Sequence, residues 1–445
     1  MNLISKKEEN NRIKKSKEII KAEKERIKKE KKKQKEEKQN KSKIRQFLKN
    51  IFNPKEKEGF SLKEQIFSMI YFEIIGAVLC LIVLFALTGG KNYFKLYNDL
   101  SKLINVYDTI QSNYYGEIDR EELVDSAIDA MLSSIGDGYT TYTDNNAENT
   151  FYEELEGTYE GIGCMAAMNN NNEIIIIDIF EDSPAENAGL QENDIVLKID
   201  DQDFSKKTSE DMSNYIKKSA KEKIKLTIKR ENEEQEITIK REKVEIPSVT
   251  SKIIEQNEKT IGYIDISVFS AVTYKQFKTE LEELEEQNIQ GLIIDVRSDT
   301  GGYLTAVTDI SNLFLKKGKI IYQLEDNKKT EKIKDTTKAY REYPIAVLIN
   351  QTSASASEIL ASVIKESYGG IVVGTNSYGK GTVQRAQMLP DGSMIKYTTQ
   401  KWLTPKGNWI NEIGVEPTLK VEFDITSEID NQMDAAVAEI IEQLD

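Results

Sequence analysis

Residues 346–358 read Ala-Val-Leu-Ile-Asn-Gln-Thr-Ser-Ala-Ser-Ala-Ser-Glu, and their pattern gives the clearest indication of fold class in the largest part of the chain. Its first residues form a continuous apolar run, which is typical of a strand buried on both faces. A polar turn follows at residues 351–353, and a helical pattern begins near Ala356. A strand that passes through a short turn into a helix is the repeating unit of an α/β core.

The same alternation continues on both sides of this stretch and predicts an α/β core over residues 245–425. Apolar runs bounded by glycine predict buried strands at residues 261–268, 291–296, 345–350 and 370–374. Helical patterns lie at residues 274–286, 304–315 and 356–366, and a last helix is predicted within residues 426–445.

Three serines, Ser353, Ser355 and Ser357, lie where the predicted strand turns into the helix. The N–H groups and the dipole of a helix N-terminus favour a developing negative charge, which suits a nucleophilic hydroxyl. Serines in this position are equally typical of helix caps. The motif alone leaves both interpretations open.

The chain contains no histidine, so a serine hydrolase built from it needs another base. A lysine whose pKa is lowered by burial is the common alternative. Lys380 lies between Gly379 and Gly381, which allow a tight fold that points the amine inward, although a surface Gly-Lys-Gly would be an ordinary turn. Without histidine or a cysteine cluster a zinc site of the usual type is excluded, and we expect no metal and no cofactor.

Short strands separated by turn residues predict a small β module over residues 150–243. Residues 183–200 (SPAENAGLQENDIVLKID) resemble the PDZ family, and Tyr159-Glu-Gly-Ile-Gly163 stands where that family has its carboxylate-binding loop. Backbone N–H groups of Gly161, Ile162 and Gly163 would bind the C-terminus of a peptide there. A Gly-x-Gly by itself is typical of a turn.

The N-terminus predicts a membrane protein. Residues 1–50 carry a net charge of +12, whereas the whole chain carries −14, so we expect a disordered basic tail over residues 1–62. Residues 66–87 are apolar except for Glu73, which predicts one transmembrane helix over residues 66–88, retained as a signal anchor. The positive-inside rule places the tail in the cytoplasm and the remainder outside it, at the cell membrane. A nucleic-acid-binding role for the tail is less favoured.

Apolar residues at helical spacing predict a helical segment over residues 95–148, with a break at Tyr115-Gly116 and a new start at Asp119. Gly136-Asp137-Gly138 ends its second helix. An amphipathic pair of this kind packs either on the body of the protein or on a second copy, as a homodimer.

Taken together, SASASE, the later GKGTVQ and Asp295-Val-Arg-Ser-Asp-Thr-Gly-Gly302 resemble the C-terminal processing, or tail-specific, serine peptidases of family S41. The resemblance covers about residues 97–420. It implies a multidomain α/β (α+β) protein with a PDZ domain and a crotonase/ClpP-like peptidase core. The family pattern is DLRxNxGG, and this chain departs from it at Ser298-Asp299-Thr300.

The resemblance also implies roles for single residues. Ser355 becomes the nucleophile, Lys380 the general base and Gln384 the residue that orients the lysine. Backbone N–H groups of Gly301 or Gly302 and of Ala356 form the oxyanion hole. We expect the Lys380 amine to be buried and to lack a carboxylate partner.

The predicted function is therefore that of a membrane-anchored, extracytoplasmic serine endopeptidase. Its PDZ domain would select protein substrates with free apolar C-termini. The alternative is a non-catalytic peptide-binding or ligand-binding protein of the same fold. A third interpretation, an adaptor that the basic tail tethers to anionic lipid, is less favoured than a tail that only sets topology.

Overall fold

The computed structural model describes residues 42–43, 62–87, 93–143, 153 and 155–445. The predicted basic tail, residues 1–62, lies almost entirely outside the described residues. The chain divides into two compact units, residues 1–118 and residues 119–445.

The first unit contains helix α1, Leu62–Leu87, and helix α2, Tyr93–Asn113. Over the part of the chain that the structure describes, no helix combines the length and apolar character needed to cross a membrane. The predicted transmembrane helix at residues 66–88 is therefore not confirmed.

The second unit opens with helix α3, Arg120–Ser133, which begins where the sequence predicted a new start. The Asp119 carboxylate accepts hydrogen bonds from the N–H groups of Glu121 and Glu122 and so caps the helix. A short strand, β1 (Thr141–Thr143), follows it.

A small β module comes next, with one sheet in the order β3-β4-β5-β7-β8 and with β6 paired to β5. Its apolar core includes Ile174, Ile199 and Leu226, and helix α5 contributes Met212 and Ile216. A separate antiparallel ribbon of β2 and β9 lies where the module meets the rest of the unit. The elements are β2 Thr158–Gly161, β3 Cys164–Met168, β4 Ile174–Ile179, α4 Pro184–Asn187, β5 Ile195–Ile199, β6 Gln202–Asp203, α5 Ser209–Lys218, β7 Lys223–Arg230, β8 Glu233–Lys240 and β9 Glu242–Glu245.

The largest domain is built on a six-stranded sheet in the order β10-β11-β12-β15-β16-β19. All neighbouring strands run parallel except β10 and β11. The predicted buried strands form its centre, and every residue of β12 and β15 is buried. The sheet strands are β10 Val249–Gln256, β11 Lys259–Ile266, β12 Gly291–Asp295, β15 Ile345–Ile349, β16 Ile371–Gly374 and β19 Leu419–Lys420.

Helices cover both faces of this sheet, as expected for strands that are apolar on both sides. One face packs against α6, α7 and α8, and the other against α9. A single π turn, Ile364–Tyr368, continues α8. The helices are α6 Thr273–Glu286, α7 Leu304–Asn312, α8 Ala356–Val363 and α9 Asn431–Leu444.

A second sheet lies beside the first, in the order β1-β18-β13-β14 with β17 paired to β18. The sequence analysis did not predict these strands. Most residues of β14, β17 and β18 are exposed or only partly buried, so no continuous apolar run marks them. They are β13 Ile320–Glu325, β14 Thr330–Lys334, β17 Thr382–Met388 and β18 Met394–Leu403.

Candidate active site

The candidate site lies at the carboxyl ends of two neighbouring parallel strands. In the register of β12 and β15, Asp295 pairs with Leu348, so the loops that follow these strands emerge side by side. This edge is where ligands bind in open α/β sheets. The first loop carries Gly301 and Gly302, and the second carries Ser355.

Ser355 occupies a strained turn directly before α8. Its φ of 55° and ψ of −109° are unusual for a residue with a side chain. Such a conformation costs about 1–3 kcal/mol and is found mainly where function requires it. A strained turn between a strand and a helix is also the position at which α/β-hydrolases expose a nucleophilic serine hydroxyl.

The two flanking serines are buried, and their hydroxyls donate hydrogen bonds to backbone carbonyls. The Ser353 hydroxyl donates to Val296 O at 2.7 Å, and the Ser357 hydroxyl donates to Asp299 O at 3.0 Å. Both hydroxyls therefore join the turn before α8 to the glycine loop, which is the loop after β12 that carries Gly301 and Gly302. Ser355, in contrast, stays partly accessible. Of the three serines in the motif, Ser355 is the one whose position suits a nucleophile.

The two glycines allow the loop to approach Ser355 closely. A Cβ on Gly301 would lie 2.8 Å from Ser355 Cβ, and one on Gly302 would lie 2.0 Å from Phe269 O, so neither position tolerates a side chain. The Gly301 N–H donates to Asp299 Oδ1 at 2.8 Å. That bond leaves the N–H groups of Gly302 and Ala356 as the candidates for an oxyanion hole.

Lys380 is half-buried in the loop that enters β17. Burial lowers the pKa of Lys380, the positive charge of Lys396 lowers it further, and Glu358 opposes both. Within the described residues, no carboxylate forms an ion pair with its Nζ. Trp402 Nε1 fixes the backbone by donating to Lys380 O at 2.7 Å.

A buried carboxylate that the sequence analysis gave no role joins the two candidate residues. Glu358 Oε2 accepts the N–H groups of Ser355, at 2.8 Å, and of Lys380, at 2.9 Å. Glu358 Oε1 accepts from Ser377 Oγ and from Gly379 N. Glu358 is fully buried, and burial raises its pKa although these four donors act in the opposite direction.

Gln384 lies on β17, and its amide is engaged by two threonine hydroxyls. Its Nε2 donates to Thr382 Oγ1 at 2.8 Å and to Thr398 Oγ1 at 3.2 Å. No hydrogen bond joins Gln384 to Lys380 among the residues that the structure describes.

Tyr139 is a site residue that sequence reasoning missed. The Lys380 Nζ lies 5.1 Å from the centre of its ring, which shields the amine from water. Burial, with a hydrogen bond between the Tyr139 and Tyr378 hydroxyls, raises the pKa of Tyr139 to about 12, so the phenol is neutral at physiological pH. Tyr139 follows Gly136-Asp137-Gly138, which predicted only the end of a helix.

The small β module has a groove of about 240 Å³ between β3 and α5. Ile162, Met165, Met212 and Ile216 give it an apolar lining, and Lys217 is also part of it. Of the predicted carboxylate-binding loop, Gly161 ends β2, Ile162 is buried, and the Gly163 N–H donates to Tyr159 Oη at 3.2 Å.

Two other features of the described residues bear on function. Arg230 forms an ion pair of 2.7 Å with the buried Asp194 and donates to Gly189 O, so it is engaged within the module. Across the described ranges, no group of three or more acidic or cysteine side chains could hold a metal ion.

Comparisons with known proteins match three consecutive segments of the chain. Residues 260–421 match Peptidase family S41, residues 161–240 match the PDZ domain, and residues 87–147 match the Activating protease CtpB N-terminal domain.

Similar whole proteins come from two bacteria. Carboxy-terminal processing protease CtpB of Bacillus subtilis (strain 168) is 37% identical over 326 residues, which are 73% of this chain and 68% of that protein. Carboxy-terminal processing protease CtpA of the same strain is 33% identical over 76% of this chain and 72% of that protein. A Probable CtpA-like serine protease of Staphylococcus aureus (strain COL) is 31% identical over 73% of this chain and 65% of that protein.

Proposed function

The chain belongs to peptidase family S41 as a carboxy-terminal processing serine peptidase with a PDZ domain, and we propose that Ser355 and Lys380 form its catalytic dyad. The observation that carries this proposal is the double role of Glu358. One buried carboxylate holds the backbone N–H groups of both residues, 25 positions apart in the sequence, at 2.8 and 2.9 Å.

In the proposed reaction the neutral Lys380 amine accepts the proton of the Ser355 hydroxyl as its oxygen attacks a peptide carbonyl. The N–H groups of Ala356 and of the glycine loop stabilise the negative oxygen of the tetrahedral intermediate. Lys380 then gives its proton to the leaving amine, and water releases the acyl group from Ser355. Shielding by Tyr139 supports this role, because a desolvated amine is neutral at lower pH than an exposed one.

Gln384 is proposed to orient Lys380. In this role its amide turns from the threonine hydroxyls of the second sheet toward the lysine once a substrate occupies the site. Gln384 is the third residue of β17 and Lys380 lies two residues before that strand, so the two are close along the chain, which supports this assignment.

The proposed substrates are proteins with free apolar C-termini. The apolar groove between β3 and α5 fits the side chains of such a tail, and the backbone N–H groups of residues 161–163 would bind its carboxylate. The Gly163 N–H now donates to Tyr159 Oη, so tail binding would exchange a phenol oxygen for a carboxylate oxygen.

We place this activity outside the cytoplasm, on a chain anchored by one transmembrane helix at residues 66–88. The apolar run with a single charge and the basic residues before it support this placement. A homodimer through the helical segment is proposed on the exposed apolar residues of α2, among them Leu100, Leu103 and Ile104.

The test of the dyad measures cleavage of a fluorogenic peptide with a free apolar C-terminus by the full chain in detergent. We expect Ser355→Ala and Lys380→Ala each to lower kcat by roughly a thousandfold or more, because neither half of a dyad works alone. Lys401→Ala is the matched control, since Lys401 also lies over an aromatic ring, 4.2 Å from the centre of Trp409. Near-normal cleavage by Ser355→Ala would refute the dyad, and a wild type that does not cleave the peptide would leave a peptide-binding protein of this fold.

A further inference from the structure

Asp299 links the glycine loop to the turn that carries Ser355. Its Oδ1 accepts the Gly301 N–H at 2.8 Å. Its backbone carbonyl accepts the N–H of Ala354 and the hydroxyl of Ser357, each at 3.0 Å. The two sides of the candidate oxyanion hole therefore meet at this one residue.

Among the described residues, the second carboxyl oxygen of Asp299 has no hydrogen-bond partner. The residue is 0% exposed, and Oδ2 is buried without a hydrogen bond among the described residues. An ionised oxygen in this position is far more costly than the neutral acid, because water is excluded and no donor replaces it.

Over the part of the chain that the structure describes, no cation forms an ion pair with Asp299. Arg297, on the same loop, pairs with Asp295 and with Asp430 on the segment before α9. Glu358 on α8 is fully engaged by its four donors, and Asp265 near the end of β11 is itself acidic.

Burial raises the pKa of Asp299 to about 7, with a smaller contribution from the charge of Asp265, although the Gly301 N–H and Ser357 act in the opposite direction. A raised pKa in a carboxyl group means that the neutral form is favoured below it and the ionised form above it. Asp299 therefore changes charge near neutral pH.

We propose that Asp299 is a positioning residue that keeps the Gly301–Gly302 loop in its catalytic arrangement only while its side chain is neutral. This inference rests on the proposed function, since it assigns the loop to the oxyanion hole. Ionisation places a negative charge beside the forming oxyanion, and it leaves Oδ2 needing a donor that the closed loop does not supply. Both effects weaken stabilisation of the transition state, so peptidase activity falls as Asp299 ionises. An asparagine here, as in the DLRxNxGG pattern, would stay neutral at every pH.

The test compares kcat/KM of the full-length wild type with Asp299→Asn from about pH 5.5 to about pH 9. Titration of Lys380 affects both proteins, so it cancels in the ratio of variant to wild type. We expect the kcat/KM of Asp299→Asn divided by that of the wild type to be constant at acid pH. Above the pKa of Asp299 this ratio should rise about tenfold for each pH unit. An inactive wild type would instead contradict the proposed function.

Asp309→Asn is the matched control. Asp309 lies on α7, just after the loop, and burial raises its pKa as well. It makes no hydrogen bond to the glycine loop within the described residues, so its ratio to the wild type stays constant with pH. A ratio for Asp299→Asn that is equally constant overturns the proposal, because a purely structural role lowers activity by the same factor at every pH.

A second variant keeps the proposal testable if Asp299→Asn fails to fold. Asp265→Asn removes the neighbouring negative charge but leaves Asp299 in place, so it lowers the pKa of Asp299. We therefore expect the activity of Asp265→Asn to decline at a lower pH than the activity of the wild type does. An unchanged or opposite pH dependence in a folded Asp265→Asn overturns the proposal.

Discussion

The backbone of Ser355 is strained in the folded site. A positive φ is unfavourable for any residue with a Cβ, and the surrounding contacts must hold it in place. The hydrogen bonds of Glu358 and the close approach of Gly301 provide those contacts. The strain is thus a property of the folded site and not of the local sequence.

This strain predicts that replacing Ser355 by glycine makes the protein more stable. Glycine adopts positive φ without a steric penalty, so Ser355→Gly should raise the free energy of unfolding by about 1 kcal/mol relative to Ser355→Ala. Both variants should be inactive, because both lack the hydroxyl. Urea titration of the two inactive proteins measures the difference, and the use of Ala as reference removes the loss of the hydroxyl from the comparison. Equal stability of Gly and Ala would show that the turn is not strained.

For single residues, the sequence analysis identified candidate site residues but not the hydrogen-bond partners that hold them. Ser355 and Lys380 were identified by motif and spacing, and whether they form a dyad stays a prediction. Glu358 was part of the same quoted motif, yet its importance depends on donors at residues 355, 377, 379 and 380 that only the tertiary fold brings together. The hydrogen bond that occupies the Gly301 N–H was invisible for the same reason.

Among the elements, the short strand β1 contributes more to the site than its three residues suggest. It pairs with β18, more than 250 positions later, in the register Thr141 to Lys396. The Thr140 hydroxyl accepts the N–H of Thr398, whose own hydroxyl accepts from Gln384. The pairing holds Tyr139 over Lys380, so a segment from the start of the second unit completes the surroundings of the amine.

Removal of the Tyr139 ring should therefore move the pH dependence of cleavage toward alkali. Desolvation is the largest cause of the lowered pKa of Lys380, and Tyr139→Ala admits water to the amine, so the pKa rises and less of it is neutral near pH 7. We expect activity at neutral pH to fall about tenfold and to recover at high pH. Rate profiles against pH measure the shift.

Tyr142→Ala is the control, because Tyr142 lies on β1 but its hydroxyl donates to Asp125 on α3. Its profile should keep the wild-type midpoint. A shift of Tyr139→Ala toward acid would contradict the prediction, since it would mean that attraction of the ammonium to the ring outweighs desolvation.

The elements that the sequence predicted well are those whose burial is uniform. Strands β12 and β15 are buried along their whole length and β16 at all but its first residue, and such apolar runs are a clear strand signal. Strands β14 and β17 escaped prediction because their residues are exposed or only half-buried, so hydrophobicity does not alternate clearly along them. Pairing with distant strands, rather than local preference, makes them strands.

In the second unit as a whole, the PDZ module and the peptidase core are closely joined rather than linked by a free segment. The β2–β9 ribbon closes with a hydrogen bond from the Ile246 N–H to Gly157 O. A Cβ on Gly157 would lie 2.3 Å from Ser270 Oγ, so the ribbon packs directly on the core. The groove of the module and the turn that carries Ser355 are therefore joined by direct packing.

A charge placed in the groove should abolish the preference for free C-termini without disturbing the dyad. Met165 lines the groove and is 50% exposed, so Met165→Glu adds a carboxylate there without opening a core cavity. It repels the substrate's own carboxylate and disfavours its apolar tail. Cleavage of a peptide with a free C-terminus should fall about tenfold, to the rate of the same peptide with an amidated C-terminus.

Met168→Glu is the matched control for this experiment. Met168 lies on the same strand at 37% exposure but does not line the groove. Wild type and Met168→Glu should both cleave the free peptide faster than the amidated one, whereas Met165→Glu should cleave the two alike. If Met165→Glu keeps the wild-type preference, the tail is recognised elsewhere. Unchanged cleavage of the amidated peptide in all three proteins would show that the added charge acts on tail binding and not on the chemistry at Ser355.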